Sequence, residues 1–432
     1  MNRDPRAIIA DSPMGALQLV VVALTVALNA LDGFDVLSIS FASPGIAQEW
    51  GIDRGALGIV LSMELIGMAI GSILLGGVAD TFGRRPAILG CLVVMAGGML
   101  TATTSAGLVA LSASRVITGL GIGGMLAAIN AVATEFSNRR RRHLSVSLMS
   151  IGYPLGAVTG GVVAAQLLQG HDWRAVFYFG SAVTAVLVPV VFLFMPESVH
   201  WLTQKQPAGA LEHVNRALGR MGHPTVSALP ALVAARRQSV ADVFAPGLVG
   251  STVIITLAYF FHITTFYFIV KWIPKIVVDL GFAPSSAAGV LVWTNVGGTV
   301  GGTIFGLLTQ RYSVKALTIA TLLASTVTVA LFGQTPADLQ RLSLICAVAG
   351  FCTNAGIVGL YAIIAQVFPT YVRATGTGFT IGVGRGGSVL APIIAGFLFA
   401  AGFTLPVVAT TLAFGSMAAA MILILLKVND TR

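Results

Sequence analysis

Residues 76–85 read GGVADTFGRR, and residues 306–315 read GLLTQRYSVK. Each stretch is a short polar loop that interrupts a long apolar sequence. The second loop begins 230 residues after the first, since 306 minus 76 is 230. Two similar loops at such a distance suggest that one structural unit occurs twice in the chain.

A second pair of landmarks has nearly the same offset. Glu135 is followed by Arg142 seven residues later, and Gln366 is followed by Arg373 at the same interval. Spaced glycines come after both pairs. We therefore predict that the chain contains two copies of one six-helix unit, in its first 200 and its last 193 residues (240 to 432).

The composition indicates a membrane protein. Of the 432 residues, 56% are hydrophobic and only 9% are charged, whereas soluble domains carry about 25% charged residues. Stretches such as 87–104 and 319–331 contain no charge, and roughly 18 apolar residues can cross a bilayer core. The 50 glycines suit helices that pack closely in lipid. This composition excludes a large water-facing catalytic domain.

Apolar windows bounded by charged and turn residues predict twelve transmembrane helices. The predicted spans are 17–41, 55–80, 87–104, 108–134, 145–168, 174–195, 247–274, 286–309, 316–333, 342–367, 374–400 and 404–426. The predicted division is a cytoplasmic N-terminal tail (1–16), an N-terminal half (17–195), a cytoplasmic connecting loop with short amphipathic helices (196–246), a C-terminal half (247–426) and a cytoplasmic C-terminal tail (427–432).

The distribution of lysine and arginine predicts the orientation. With both termini in the cytoplasm, most of the 25 basic residues lie on the cytoplasmic side. The net charge of +9 then reflects topology, and we expect no nucleic-acid partner. We expect a monomer in the lipid bilayer of a bacterial-type cytoplasmic (inner) membrane. The three cysteines lie in apolar runs without metal or disulfide spacing, so no metal site is predicted.

Two parallel six-helix halves joined by a cytoplasmic loop resemble the major facilitator plan. The stretch 76–85 resembles the signature of the major facilitator superfamily between helices two and three, although Thr81 replaces a usual basic residue. Arg115 and the glycines that follow it up to Gly124 resemble another motif of that family. The resemblance covers essentially the whole chain. It implies an all-α membrane protein with the major facilitator fold, 12 transmembrane helices in two pseudo-symmetric six-helix halves, and a substrate site between the halves.

Five ionisable residues lie inside predicted spans, where each costs at least ~2.5–3.5 kcal/mol on insertion scales. They are Asp32, Asp35, Glu64, Arg115 and Arg385. Asp32 and Asp35 are three residues apart and share one face of the first helix. Such residues are functional candidates by default. The plainer alternatives are that Arg115 pairs with an aspartate to hold helices together and that Glu64 partners a helix terminus.

Three short motifs resemble the aromatic acid:proton symporter family of this superfamily. They are LDGFD at 31–35, WIP at 272–274 and GRGG at 384–387, with Arg373 twelve residues before Arg385. The resemblance implies uptake of a small benzoate-like acid together with protons. Gln310 departs from the family pattern, which commonly has an acidic residue in the second-half loop. This departure weakens the expectation that the second-half loop gates as the first does.

An aromatic carboxylate needs a cation for its charge and flat apolar surfaces for its ring. Arg385 is the predicted carboxylate contact and Arg115 the second choice, because a guanidinium offers two parallel donors. Lys271 is either an extra anion contact or a lysine that snorkels to the outer surface. Candidate ring surfaces are Tyr259, Phe266, Tyr267, Trp272, Tyr361 and Phe379.

Asp32 or Asp35 is predicted to carry the coupling proton, with Glu64 as the next candidate. Burial favours the protonated form of a carboxylate, and a nearby arginine favours the ionised form. Competition between substrate and aspartate for arginine would then couple the two fluxes. The proton gradient is the expected driving force, and no cofactor is predicted.

Charged residues at the predicted cytoplasmic helix ends form a candidate gate. They are Asp80, Arg84, Arg85, Glu135, Arg142 and Arg373. We expect an inner latch whose breakage opens the inward-facing state. The alternative is that these charges only set the orientation on a solvated face.

Several other functions are compatible with parts of this pattern. A drug or metabolite proton antiporter, or a carrier of another small organic anion, would share every fold-level feature. A cation carrier is disfavoured by two buried arginines. A membrane enzyme would need a nucleophile and base or metal-ligating histidines at one membrane face, and the six histidines show no such spacing. A transporter-like receptor that binds without carrying is a further alternative.

Overall fold

The structure is a computed structural model that describes residues 4–75, 77–231, 240–369 and 372–426. Gly76 of the first loop, Arg236 and Arg237 of the connecting loop, and the predicted C-terminal tail at 427–432 lie outside the described residues.

Twelve helices of the described chain are long and apolar enough to cross a membrane. This confirms the predicted all-α membrane fold and the number of spans. The helices are α1 (Ala16–Trp50), α2 (Arg54–Leu74), α3 (Arg84–Thr103), α4 (Leu108–Glu135), α5 (Arg142–Leu167), α6 (Arg174–Phe194), α7 (Val249–Asp279), α8 (Pro284–Leu308), α9 (Val314–Gln334), α10 (Leu339–Val367), α11 (Arg373–Ala400) and α12 (Leu405–Ile424).

The helix boundaries differ from the predicted spans mainly in the first two helices. α1 continues past residue 41 to Trp50 and contains Pro44. α2 ends at Leu74, and a short helix, Val78–Phe82, follows it before α3. Gly83 joins this short helix to α3 with a φ of 112°, a conformation that favours glycine.

The connecting loop contains short helices of its own. Val199–Lys205 and Ala210–Arg220 are α-helical, and Val240–Phe244 forms a 3₁₀ turn. In Ala210–Arg220, Val214 and Leu218 are buried four residues apart while Glu212 and Arg216 are exposed, so this helix is amphipathic.

Contacts divide the chain into two compact units. Unit 1 comprises Met1–Val36, Ile66–Ala157 and Phe177–Ala235, and unit 2 comprises Leu37–Leu65, Val158–Val176 and Arg236–Arg432. Unit 2 therefore contains part of α1, part of α2 and the end of α5 as well as the whole second half of the sequence.

Glycines allow α4 to pack directly on α2. A Cβ atom at Gly67 would overlap the carbonyl oxygen of Val116, and one at Gly71 would overlap that of Leu120. In the second half, α8 and α10 make the same contacts. Gly297 faces the Ala347 carbonyl and Gly301 faces the Phe351 carbonyl in the same way. Each second-half residue lies 230 or 231 positions after its first-half counterpart, in agreement with the predicted repeat.

The pairs α1–α5 and α7–α11 repeat this arrangement. Gly156 of α5 lies against the Ala30 carbonyl of α1, and Gly387 of α11 lies against the Phe260 carbonyl of α7. A side chain at either glycine would force the helices apart, because a Cβ atom would overlap the facing carbonyl oxygen. The repeated glycines thus position the helices that carry the candidate charged residues.

Candidate functional site

The predicted site residues fall in both units. Arg115, Asp32 and Asp35 belong to unit 1, and the other predicted substrate-binding and proton-coupling residues belong to unit 2. The contacts of each group are therefore described within its own unit.

Arg115 is fully buried between helices of unit 1. Its Nη2 atom donates to the backbone carbonyl of Asp35 at 3.3 Å, and Nη1 lies 3.1 Å from the sulfur of Met99. The guanidinium also stands over the Phe177 ring, 5.1 Å from its centre. These contacts join α4 to α1, α3 and α6. They favour the alternative in which Arg115 holds helices together.

The two aspartates of α1 are also buried, with Asp32 2% and Asp35 0% exposed. Gly33 between them packs against α5, where a Cβ atom would overlap the Tyr153 carbonyl. Phe34 packs edge-on against Phe179. The glycine and the phenylalanine of the LDGFD motif therefore have packing roles, and the motif places two carboxyl groups inside unit 1.

Arg385 lies on a part of α11 that packs closely against α7. The Tyr259 ring occupies the space beside Gly384, and Phe260 packs against Gly386 and Gly387. Arg385 itself is half-buried. The glycines of the GRGG motif thus bring α11 close to Tyr259, and the Arg385 guanidinium beside them stays partly accessible.

Two tyrosines form a stacked pair near Arg385. The rings of Tyr259 and Tyr361 are 5.8 Å apart with an interplanar angle of 29°, and their hydroxyl groups are 3.2 Å apart. Tyr259 is buried, whereas Tyr361 is 43% exposed. Arg385 directly follows Gly384, which faces the Tyr259 ring, and Tyr267 packs edge-on against Phe266. The group offers one cation beside aromatic rings, as an aromatic carboxylate requires.

The structure places two of the predicted ring contacts in helix packing. Trp272 is 1% exposed, donates from Nε1 to the Pro392 carbonyl at 3.2 Å and contacts the Phe399 ring. Phe379 packs edge-on against Phe244 of the 3₁₀ turn, with ring centres 5.0 Å apart. Both residues stabilise α11 against its neighbours in this arrangement.

Glu64 has a charged neighbour that the sequence did not indicate. Lys271 of α7 lies 3.7 Å from the Glu64 carboxylate, and both side chains are 0% exposed. The expectation that Lys271 snorkels to the outer surface is wrong. The reason is that α7 continues for eight residues beyond Lys271, to Asp279, which keeps the lysine inside the packed part of the helix.

The candidate gate is centred on Arg84 in unit 1. Its guanidinium contacts Asp80 at 2.5 Å and Glu135 at 3.0 Å. The Arg84 side chain is 10% exposed and that of Glu135 is 15% exposed, whereas Asp80 is 69% exposed. The pair with Glu135 therefore contributes more than the pair with Asp80, because solvent screens the latter.

The connecting loop adds two gate residues that sequence reasoning missed. Ser198 donates to Glu135 at 2.5 Å. Glu197 accepts from the backbone N–H groups of Arg84 and Ser198 at 2.9 and 2.7 Å. Burial raises the pKa of the Glu197 carboxyl, although these hydrogen bonds oppose that shift. The sequence signal was an acidic residue and a serine immediately after Pro196, at the end of a span.

The remaining gate candidates have different partners. Arg85 donates to the Phe192 carbonyl at the end of α6 and stands over the Phe192 ring. Arg373 donates to the Phe368 carbonyl at the end of α10. Arg142 begins α5, and within the described residues the ion pair of Glu135 is with Arg84 instead. The structure thus brings Asp80, Arg84 and Glu135 together and leaves Arg142 outside this cluster.

Comparisons with known proteins agree with this architecture. A family model described as Major Facilitator Superfamily matches residues 25–332. The 4-hydroxybenzoate transporter of Pseudomonas putida is 29% identical over 394 residues, which cover 90% of this chain and 87% of the relative. The gallate transporter of the same species is 28% identical over 417 residues, covering 95% and 92%.

The solved structures include a similar fold. The crystal structure of a D-xylose-proton symporter superposes with a TM-score of 0.74 and 17% sequence identity, covering 94% of this chain and 97% of the other. At this identity the likeness concerns the fold.

Proposed function

Because the chain belongs to the Major Facilitator Superfamily, we propose that it is a proton-coupled secondary transporter that imports an aromatic carboxylate by alternating access. Its family confirms the prediction of a transporter over an enzyme. Similar chains that are named as transporters of 4-hydroxybenzoate and gallate support the choice of substrate class. Both compounds join a carboxylate to a hydroxylated ring.

The observation that carries the proposal is the partly accessible Arg385 beside the stacked pair of Tyr259 and Tyr361. In this proposal the guanidinium binds the substrate carboxylate through two parallel hydrogen bonds. The exposed face of Tyr361 packs against the substrate ring, and Tyr267, on the same helix as Tyr259, is the proposed source of a further hydroxyl group. Arg115 is buried in helix contacts and serves to position α1, which carries Asp32 and Asp35.

The transport cycle needs a carboxyl group that takes up and releases a proton. Asp32, Asp35 and Glu64 are buried and are the candidates. The Arg84 cluster, with Asp80 and Glu135, would stabilise the state in which the predicted cytoplasmic side is closed. Both termini are proposed to lie in the cytoplasm of a cell whose inner membrane holds the protein, and the proton gradient would drive accumulation without a cofactor.

Uptake of radiolabelled 4-hydroxybenzoate by proteoliposomes tests the substrate class. Unlabelled benzoate and gallate should compete, and an aliphatic acid of similar size should not, because it lacks a ring to stack on Tyr361. Equal competition by the aliphatic acid would favour the second candidate, a carrier of other small organic anions. Drug export in inverted vesicles, without uptake of any benzoate, would favour an antiporter of the same fold.

A further inference from the structure

A buried ion pair joins a helix of the first half to a helix of the second half. Lys271 on α7 and Glu64 on α2 are 3.7 Å apart, with neither side chain exposed, and both lie in unit 2. The separation exceeds that of a hydrogen bond, but Coulomb attraction at this distance is strong where water is excluded. The two charges stabilise each other only while α2 and α7 remain packed.

Close backbone contacts surround this pair. A Cβ atom at Gly58 of α2 would overlap the Pro392 carbonyl of α11 and stand 3.1 Å from the Cα atom of Gly396. Ser62, one turn further along α2, donates to the Val389 carbonyl at 2.7 Å. Trp272 donates to the same Pro392 carbonyl. We call these contacts of α2 with α7 and α11 the seam; both side chains of the pair are inaccessible to solvent.

Other ionisable groups near the seam lie toward its ends. Arg54 and Lys275 both pair with Asp279, so the charges at the end of α7 largely compensate one another. Besides the pair, the ionisable groups on α2, α7 and α11 are Arg54, Tyr259, His262, Tyr267, Lys275, Asp279, Arg373 and Arg385. The parts of α1 and α6 in this unit add Glu49 and Arg174. Lys271 is the cationic neighbour of Glu64 in this part of the described chain.

The location of the pair distinguishes it from the other buried charges. Arg115 contacts the backbone of Asp35, and both residues belong to the first half of the sequence. Movement of the halves relative to each other does not by itself break a contact within one half. The contact of Glu64 with Lys271 crosses from the first half to the second, so alternating access breaks and remakes it.

We propose that Glu64 carries the coupling proton and that Lys271 is the counter-ion that displaces it when the seam closes. This assignment rests on the proposed function, since it gives the proton of that symport to one carboxylate. With the seam open to the outside, Glu64 lacks its ammonium neighbour and binds a proton from the outer solution. Closure brings Lys271 back to Glu64, the ionised carboxylate becomes favourable again, and the proton leaves toward the cytoplasm.

Two assays on proteoliposomes separate coupling from binding, with radiolabelled 4-hydroxybenzoate as the probe. In the parent, an inward proton gradient of one pH unit should support up to about tenfold accumulation at one proton per anion. Glu64→Gln should abolish this accumulation. It should still exchange labelled for unlabelled probe when both sides of the membrane contain the probe, because such exchange requires no release of a proton. Lys271→Met should have the same effect, since closure of the seam would no longer bring an ammonium group to Glu64.

Two further variants control for folding and for general charge effects. The double variant Glu64→Gln with Lys271→Met leaves no buried charge in the seam, so it should fold and exchange without accumulating. Glu49→Gln removes a carboxylate that pairs with Arg174 and should accumulate like the parent. Accumulation by Glu64→Gln at the parent level would overturn the assignment. Loss of accumulation in Asp32→Asn but not in Glu64→Gln would also overturn it.

A labelling experiment tests the seam without any substrate. Ser62→Cys places a thiol in the seam, where Ser62 contacts α11, and the native cysteines Cys91, Cys346 and Cys352 are buried. Labelling by a membrane-impermeant maleimide should increase as the external pH falls, and Glu64→Gln should remove this pH dependence. If the parent carries no aromatic acid but labelling shows this dependence on pH and on Glu64, the substrate class of the proposed function fails, and Glu64 remains the group that binds the proton. If the aromatic acid accumulates and the pH dependence of labelling is the same in Glu64→Gln and the parent, only the assignment of the proton to Glu64 fails.

Discussion

Matched glycines bring corresponding helices together in the two halves of the chain, but the charges on those helices are not matched. Arg115 of α4 corresponds to Cys346 of α10, at the offset set by the Val116 and Ala347 contacts. Arg385 of α11 corresponds to Pro154 of α5. The duplicated feature is the backbone packing, whereas Arg115 and Arg385, which lie inside the apolar spans, are each specific to one half. Contacts that occur twice are therefore assigned to packing, and the half-specific residues remain as the candidates for function.

The helix ends at the predicted cytoplasmic side give the same result. Arg85 donates to a carbonyl at the end of α6, and Lys315 donates to the Ile424 and Leu426 carbonyls at the end of α12. This capping by a cation occurs in both halves. The cluster of Asp80, Arg84 and Glu135 occurs once, because Gln310, Val314 and Gln366 occupy the corresponding positions.

The largest expected effect separates the two half-specific arginines. Arg385→Ala should lower initial uptake of 4-hydroxybenzoate by roughly 30-fold or more, since leaving a partner charge unpaired costs about 2–5 kcal/mol. Arg385→Lys should recover part of the activity, because it keeps the charge without the planar fork. Uptake by equal amounts of reconstituted protein measures both.

Arg115 and Arg341 provide the contrast for that experiment. Arg115→Ala should lower the melting temperature as well as uptake, because it removes contacts between helices. Arg341→Ala, at an exposed helix start, should change neither. Near-normal affinity of Arg385→Ala for the probe would remove Arg385 from the binding site.

The next effect tests whether the duplicated packing is equivalent in the two halves. Gly156→Val and Gly387→Val should each destabilise the protein by about 1–3 kcal/mol or more, because the new side chain overlaps a facing carbonyl. Thermal unfolding in detergent should show similar losses for both. Gly378→Ala on α11, where no atom lies within 4 Å of the added Cβ, should be neutral. A large loss for only one of the two valine variants would contradict the equivalence.

A smaller effect is expected at the half-specific gate. Glu135→Gln should weaken the closed cytoplasmic side by up to ~2 kcal/mol, and Asp80→Asn by a few tenths, because Asp80 is mostly exposed. The accessibility of introduced thiols from the two sides should shift toward the inward-open state, more in Glu135→Gln than in Asp80→Asn. Gln310→Asp should have no effect, since Val314 offers no cation there. Identical accessibility in Glu135→Gln and the parent would assign the cluster to folding.

The smallest effect concerns the capping cations that the halves share. Arg85→Ala and Lys315→Ala should each cost ~0.3–1 kcal/mol, as is usual for a cation at a helix C-terminus. Their melting temperatures should fall by similar amounts, and uptake per folded protein should be unchanged. A selective loss of uptake in Arg85→Ala would instead place Arg85 in the gate.

Much of the fold was predictable because it depends on composition and repetition. Long apolar segments predicted the twelve spans, and the 230-residue offset reappears in the contacts of Gly67 and Gly297. Boundaries were less accurate where a helix tolerates a proline, as α1 does at Pro44.

The site was predictable only in part, because partners far apart in sequence cannot be paired by spacing. Arg385 and the aspartates were identifiable as charges inside apolar spans. The burial of Lys271 depends on Glu64, 207 residues earlier (271 minus 64), and nothing local indicated it. Trp272 was an expected ring contact because it is aromatic, but its burial against Pro392 depends on the path of α11.

The most direct test of the account is gradient-driven uptake. Proteoliposomes that contain the protein should accumulate 4-hydroxybenzoate above its external concentration when the outside is made acidic, and a protonophore should release it. Accumulation should approach about tenfold for one pH unit, the limit for one proton per anion. Uptake that merely reaches equilibrium, with the same rate in the presence and absence of the gradient, would contradict proton-coupled import.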